Sequence, residues 1–275
     1  MENNIRVIGL DLDGTLLQRD RTISEENKKA IRECLDKGIQ VYLVTGRPYC
    51  FAKMIAHLVD DRIKVIAGNG GIYEIGNRCI ETAIDAEALK EIVSVLQKYQ
   101  MHAFLKGKHF IYTQESYDER FLYDHMNECF QDDYKIKSYT QIPWDELAVV
   151  AKDVLKILVY HKEEHLLEQA RNEIECIENC EITDYQKISF DITAKGIHKG
   201  NIIRTVLKEN GFTKDNFMAI GDGNNDIPMF EEASIAVAMG NATEEVKKHS
   251  SYVTAHYLED GVSKAIKKFI KEVDI

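Results

Sequence analysis

Four short stretches bring acidic, hydroxyl and basic side chains to places where chemistry is possible. Asp11 and Asp13 stand two apart in Asp11-Leu12-Asp13-Gly14-Thr15. Asp222 and Asp226 frame Gly221-Asp222-Gly223-Asn224-Asn225-Asp226. Thr45 precedes Gly46 and Arg47, and Lys199 precedes Gly200. At a strand end, a spacing of two can turn both carboxylates of Asp11 and Asp13 to one side. Close carboxylates repel, so their titrations couple and one can hold a proton. A metal ion also offsets the repulsion. Asp222 and Asp226 add hard oxygen donors of the kind magnesium takes. Gly14 and Gly221 permit sharp turns and close backbone approach.

This set meets the needs of phosphoryl transfer. A carboxylate can serve as a covalent nucleophile. It must then approach a phosphate that is also negative, and magnesium between them lowers that barrier. A second carboxylic acid can protonate the leaving alkoxide and later deprotonate water. A lysine is needed for the remaining charge, and Lys199 is the candidate, with Lys195 its neighbour and rival. Alone, the stretch around Asp11 reads equally well as a turn built from Asp and Gly. The conjunction of all four stretches outweighs that reading.

The elements that must position these residues follow from pattern. Residues 5–10, 39–44 and 63–67 are short apolar runs of strand length. Between the first two, Ser24 reads as an N-cap, Glu25 and Glu26 fall in the first turn, and Gly38 closes the helix. Pro48 suits the first turn of a second helix that runs to about Val59. Strands alternating with helices across short joints predict βαβ units and a parallel sheet. The last third resumes the pattern. Helices are expected at 201–209, 227–232 and 262–273, and strands at 217–220, 235–238 and 252–254. In a doubly wound sheet, ligands bind beyond the carboxyl ends of the strands. Asp11, Thr45 and Asp222 each fall at such an end.

The middle of the chain reads differently. It holds helical stretches at 86–99 and 163–177, strand-like runs at 109–113 and 154–160, and the only tryptophan, Trp144. The expected architecture is a parallel Rossmann-like α/β core of residues 1–82 and 189–275, with an inserted α+β cap of residues 83–188. Substrate would bind between them, the core setting the chemistry and the cap the substrate.

At this point the sequence resembles the haloacid dehalogenase-like superfamily. Its four signatures occur in order, as the Asp11–Thr15 stretch, Thr45, Lys199 and the Gly221–Asp226 stretch. The position of the insertion, after Asn69-Gly70-Gly71, resembles the Cof-type branch with its large α/β cap. Met239-Gly240-Asn241-Ala242 and Glu259-Asp260-Gly261-Val262 also look like that branch. The resemblance implies a phosphatase working through an aspartyl-phosphate. Asp11 would be nucleophile and Mg2+ ligand. Asp13 would be the general acid/base and would ligate the metal through its backbone carbonyl. Thr45, Lys199 and Asn225 would hold the phosphate, and Asp222 would ligate the metal. Asp226 would orient Lys199 or support the metal from outside its ligand shell. Gly46, Arg47 and Asn69 would lie close enough to touch the substrate. The implied substrates are sugar phosphates or a phosphorylated cofactor.

Composition narrows the classes further. The 275 residues carry a formal net charge of −11, which gives no general attraction for nucleic acid or anionic membranes. Hydrophobic residues make up 44%, ordinary for a globular protein. No apolar run reaches the roughly 20 residues of a membrane helix. Six cysteines without a CxxC pair, and an N-terminus without a leader pattern, predict reduced thiols and a cytoplasmic protein. No pattern specifies an oligomer. His161-Lys162-Glu163-Glu164-His165 matches the HxxEH pattern of some zinc proteases, but His161 follows a strand, so the two histidines share no helix. Cys176 and Cys180 are expected along one helix or its end, as plain thiols. Tyr112, Tyr117, Phe121, Tyr123, Phe130 and Tyr134 read mainly as packing or interdomain contact. Three other readings stay open: a sugar phosphomutase of the same superfamily, a phosphorylated receiver module, and a non-catalytic phosphometabolite-binding protein.

Overall fold

The computed structural model describes residues 4–116, 123 and 134–270. The chain begins with β1 (Val7–Leu10), α1 (Glu25–Asp36), β2 (Gln40–Val44), α2 (Tyr49–Val59) and β3 (Lys64–Ala67). A hairpin of β4 (Ile72–Ile75) and β5 (Arg78–Glu81) follows. Next come α3 (Ala86–Lys98), β6 (His102–Lys106), β7 (Phe110–Thr113), β8 (Lys137–Tyr139) and α4 (Trp144–Val150). The middle closes with β9 (Lys156–Tyr160), α5 (Glu164–Ile174), β10 (Cys180–Gln186) and β11 (Ser189–Ala194). The last third holds α6 (Lys199–Glu209), β12 (Phe217–Gly221), α7 (Ile227–Glu231), β13 (Ile235–Ala238), α8 (Glu244–Lys248), β14 (Tyr252–Val253) and α9 (Gly261–Phe269).

Among the described residues these strands make two sheets. The larger has the order β14-β13-β12-β1-β2-β3-β4-β5. Its strands from β14 to β3 are parallel, and the hairpin β4–β5 adds an antiparallel edge. The smaller has the order β10-β11-β9-β6-β7-β8 and is antiparallel except where β8 joins β7.

Period-two alternation decides which side chains face which layer. In β1 and β2, Ile8, Leu10, Val41 and Leu43 pack under α1, α2 and α9. Their neighbours Val7, Tyr42 and Val44 face α6, α7 and α8. Both faces of the parallel sheet are therefore covered, as its near-continuous apolar strands require. The smaller sheet buries Ala103, Leu105, Ile157 and Ile192 against α3, α4 and α5. Its other face turns Phe104, Leu158 and Tyr160 towards the first core. No helix among the described residues is long and apolar enough to cross a membrane.

Local signals explain the elements that the sequence marks well. Ser24 caps α1 by accepting the Asn27 N–H at 3.2 Å. Gly38, at φ +75°, follows the C-cap Lys37. Pro48 is the N-cap of α2, one residue before the first turn.

Several findings depart from the sequence reading. Ser189–Ala194 pairs with both β10 and β9, so it belongs to the smaller sheet rather than to the core segment starting at 189. The reason is local. Lys187 and Ile188 join two adjacent strands into a hairpin, and the second strand cannot leave the sheet of the first. The sequence reading places no element at β4, β5, β6, β8, β10, β11, α4 or α8, because each is too short or too mixed in polarity to carry a clear period. α5 ends at Ile174, three residues earlier than expected. Cys176 therefore lies beyond the helix and Cys180 opens β10, so the two do not share one helix. Tyr117, Phe121, Cys129 and Phe130, and the expected end of the last helix at Val273, lie outside the described residues.

One buried contact ties the first helix to the last. Asn27 is buried, and its Oδ1 accepts the Ser263 N–H at 2.9 Å, an orphan donor in the first turn of α9. Asn27→Ala leaves that donor buried without a partner. The unfolding free energy is expected to fall by about 1–3 kcal/mol. Urea unfolding checks this as a lower midpoint at unchanged slope. An unchanged midpoint would remove Asn27 from the fold's supports.

Candidate active site

The carboxyl ends of β1, β2, β3 and β12 converge, each handing its next residues to one cavity edge. Asp11 follows β1, Thr45 follows β2, Asn69 lies just past β3, and Asp222 follows β12. Lys199 arrives from the first turn of α6. Gly200 is required there because a Cβ would sit 2.4 Å from the Pro228 carbonyl oxygen, where α6 meets α7. Gly14 adopts φ +76° and would place a Cβ 2.2 Å from Asp222 Oδ2, so the turn after Asp13 folds directly onto Asp222.

The innermost group is an ion triad. Lys199 Nζ donates to Asp11 Oδ1 and Asp226 Oδ1, each at 2.7 Å. All three side chains are buried. Asp226 Oδ2 accepts the backbone N–H groups of Asp222 and Gly223, both at 2.9 Å. Asp222 in turn accepts Thr15 Oγ1 at 3.1 Å and Asn241 Nδ2 at 3.0 Å. Burial pushes the Asp11 carboxyl well above its ordinary range against the pull of Lys199, and Asp226 and Asp222 push it the same way. Burial and Asp226 raise Asp222 to about 6. Burial works against the charge of Lys199, but Asp11 and Asp226 more than offset it and hold it protonated.

Asp11, Asp222 and Asp226 offer carboxylate oxygens within 4.8 Å of one another. These three carboxylates and the one ammonium of Lys199 leave an excess of two negative charges when all are ionised. A divalent cation matches that excess and the hard oxygen donor set. The residues present therefore fit a divalent metal. The carboxylate of Asp13 is not part of the cluster. It turns to Arg47, which donates Nε to Oδ2 and Nη2 to Oδ1, both at 2.7 Å. Burial raises Asp13, but the Arg47 hydrogen bonds and charge outweigh it and leave it below the ordinary carboxylate range.

A cavity of about 390 Å³ opens over these groups. Asp11, Asp13, Thr45, Gly46, Arg47, Asp222 and Asn225 line its floor. Asn69 sits just behind. It adopts φ +54°, accepts Asn225 Nδ2 at 3.4 Å through its Oδ1, and donates Nδ2 to Asp191 at 2.9 Å. Asp11, Asp13, Thr45, Gly46, Arg47, Asn69, Lys199, Asp222, Asn225 and Asp226 thus fall at this cavity or directly behind it, whereas Lys195, the rival to Lys199, is exposed.

The opposite wall was not foreseen. It comes from the smaller sheet and includes Lys106, Lys156, Leu158, Asp184 and Asp191. Lys156 Nζ pairs with Asp191 Oδ2 at 2.6 Å, nearly dry. Tyr123 caps Arg47 by accepting Nη1 at 3.0 Å. Asn241 had been noted within its stretch but assigned no role. One signal was available for the wall. Lys156 and Asp191 are charges inside strands, where charge is uncommon, and the pairing of β9 with β11 puts both on one face.

The class of protein is now defined by comparison as well as by geometry. The model for haloacid dehalogenase-like hydrolases matches residues 8–266, and the chain belongs to this family. It is an enzyme of the family's phosphatase class. The chain is 30% identical over 268 residues to 5-amino-6-(5-phospho-D-ribitylamino)uracil phosphatase YcsE of Bacillus subtilis, covering 97% of this chain and 96% of that one. It is 28% identical over 270 residues to a phosphoglycolate phosphatase of Methanobrevibacter smithii, covering 97% and 99%. A solved sugar phosphatase of subclass IIB is 28% identical, with a TM-score of 0.77 and coverage of 96% and 98%. A haloacid dehalogenase-like hydrolase from B. subtilis has a TM-score of 0.83 at 25% identity, covering 96% and 99%.

Lys106 sets a pH dependence of stability. Burial lowers its pKa to about 7, with the charge of Lys156 acting the same way and Asp191 opposing. A lysine that binds its proton less tightly folded than unfolded opposes folding most below the folded pKa. That penalty shrinks as pH rises from about 7 towards the ordinary lysine value of about 10.4. Lys106→Met is therefore expected to stabilise the protein more at pH 6 than at pH 9, read by urea unfolding at both. An equal or reversed difference would show that Lys106 stays charged in the fold.

Proposed function

We propose that this enzyme is a magnesium-dependent phosphatase that hydrolyses a small-molecule phosphate monoester through a phosphorylated Asp11. The observation that carries the reading is the buried ammonium of Lys199, 2.7 Å from both Asp11 and Asp226. A cation held there neutralises a nucleophilic carboxylate in the resting state and meets the phosphoryl oxygens as they arrive. Asp226 orients that ammonium.

A carboxylate oxygen of Asp11 attacks phosphorus, and the bond from phosphorus to the leaving oxygen breaks in line. Asp13 donates its proton to that oxygen. Water then attacks the phosphorus of phospho-Asp11, Asp13 takes the water proton, and inorganic phosphate leaves with Asp11 restored. Thr45, Lys199 and Asn225 hold the phosphoryl oxygens, with Gly46 and Asn69 against the substrate. Arg47 on Asp13 favours the charged carboxylate, so Asp13 takes up its proton only when Arg47 turns away. A phosphate or leaving-group oxygen is a fitting new partner for the guanidinium. Asp11, Asp222 and the Asp13 backbone carbonyl would hold Mg2+, which would supply positive charge to offset the repulsion of the anionic reactants. The residue 83–188 insertion, extended through β11, acts as the substrate-selecting cap. The relatives' named substrates support a small phosphorylated metabolite as the substrate.

Phosphate release from a panel of sugar phosphates, nucleotides and phosphorylated cofactors tests the reading. Asp11→Asn is expected to lower turnover by at least about a thousandfold, since an amide is a poor nucleophile. Wild-type turnover in that variant would sink the covalent mechanism. Asp13→Asn should slow both steps, and unchanged rates would remove Asp13 from the proton path. Chelation should silence the enzyme, with magnesium restoring it and calcium doing so poorly. If wild type releases no phosphate at all, a mutase or a binding protein takes the reading's place.

A further inference from the structure

The cavity wall opposite the candidate metal cluster carries an arrangement that the phosphoryl chemistry does not use. β10 and β11 run antiparallel, and Asp184 stands directly across from Asp191. Like charges in facing positions destabilise a sheet. The register shifts between Ile182 and Asp184, so Thr183 is the extra residue of a bulge. Without that bulge Thr183 would face Asp191. Bulges of this kind re-aim side chains beside functional sites.

Both carboxylates line the cavity. In each, Oδ1 is buried with no hydrogen-bond partner among the described residues. Asp191 is 5% exposed, and its other oxygen already takes Lys156 and Asn69. Burial and the charge of Asp191 both raise Asp184. An orphaned buried acceptor costs about 1–3 kcal/mol, and two side by side point to donors that arrive with a ligand. The same wall holds Lys106, buried, with no carboxylate in ion-pair range among the described residues. It presents a donor where the two aspartates present acceptors.

We propose that Asp184, Asp191 and Lys106 form a subsite that reads hydroxyl groups on the leaving group, so the preferred substrate is the phosphate ester of a polyol. This rests on the phosphatase reading above. A hydroxyl donates to a carboxylate and accepts from an ammonium at once, so one chain of hydroxyls satisfies all three residues. An alkylammonium leaving group has nothing to accept from Lys106. A carboxylate leaving group would add a third anion beside Asp184 and Asp191. Asp191 is held by Lys156 and Asn69 and so is the fixed member, while Asp184 makes only a 3.3 Å contact from Gln186 through its other oxygen.

The test compares kcat/KM for three esters with magnesium present: ribitol 5-phosphate, n-pentyl phosphate and phosphoglycolate. Wild type is expected to favour ribitol 5-phosphate over both others by at least about tenfold. Asp184→Ala and Lys106→Met should each shrink that preference about tenfold, mostly through KM. Asp184→Asn keeps one acceptor oxygen and should restore part of it, which a purely structural role would not require. If wild type cleaves the esters without preference, or the preference survives both substitutions, the subsite is refuted while the phosphatase stands. If wild type releases phosphate from none of the three nor from the wider panel, the phosphatase reading fails and the subsite falls with it.

Discussion

A lysine ammonium buried between two carboxylates is stable only if all three are held in place, and much of the core can be read as the means of holding them. Lys199 reaches Asp11 across 188 residues of sequence and Asp226 across 27. Removing one partner of such a group would strand a charge in the interior, a loss of several kcal/mol. The parallel sheet keeps β1 beside β12, which brings Asp11 next to the loop holding Asp222 and Asp226. The missing Cβ of Gly200 lets α6 approach α7 closely enough for Lys199 to arrive. Asp226 then turns its second oxygen to two backbone N–H groups, so the same carboxylate that binds the lysine also shapes the Asp222 turn.

The second constraint is the joint between the sheets. Asn69 occupies left-handed backbone, a conformation Asn tolerates better than most residues. Its N–H bonds the Thr45 carbonyl, and its side chain reaches Asp191 and Thr183 on the smaller sheet. One residue thereby links the strand ends of the larger sheet to the cavity wall of the smaller one. Gly46 completes the joint, because a Cβ there would lie 2.9 Å from Asn69 Oδ1 and 3.1 Å from Lys156 Nζ. Floor and wall are packed against each other at this point.

The core was largely legible because its signals are local and repeated. Apolar runs of strand length, the Ser24 cap and Gly38 mark α1 and its flanking strands, and the structure matches them closely. The middle was less legible for a physical reason. Strands such as β6 and β8 are short and pair with β9 and β7 well along the chain, so their stability comes from the sheet rather than from their own pattern. The strand Ser189–Ala194 shows the limit well. The sequence reading marks no strand there, and only pairing with β9 and β10 forms it and decides which sheet owns it.

The same division runs through the site. Asp11, Asp13, Thr45, Lys199, Asp222 and Asp226 were readable from the sequence because each sits in a short signature whose residue types suit one chemistry. Their convergence followed from a general property of parallel sheets, that strand ends share an edge. The sequence by itself therefore determined the parallel core, its cluster of carboxylates and the chemistry they suit. Only the tertiary structure decided that Arg47 holds Asp13, that Tyr123 caps Arg47, and that Asp184 faces Asp191 beside Lys106. Those contacts depend on register, on a bulge and on the packing of one sheet over another, and none of these is encoded in neighbouring residues.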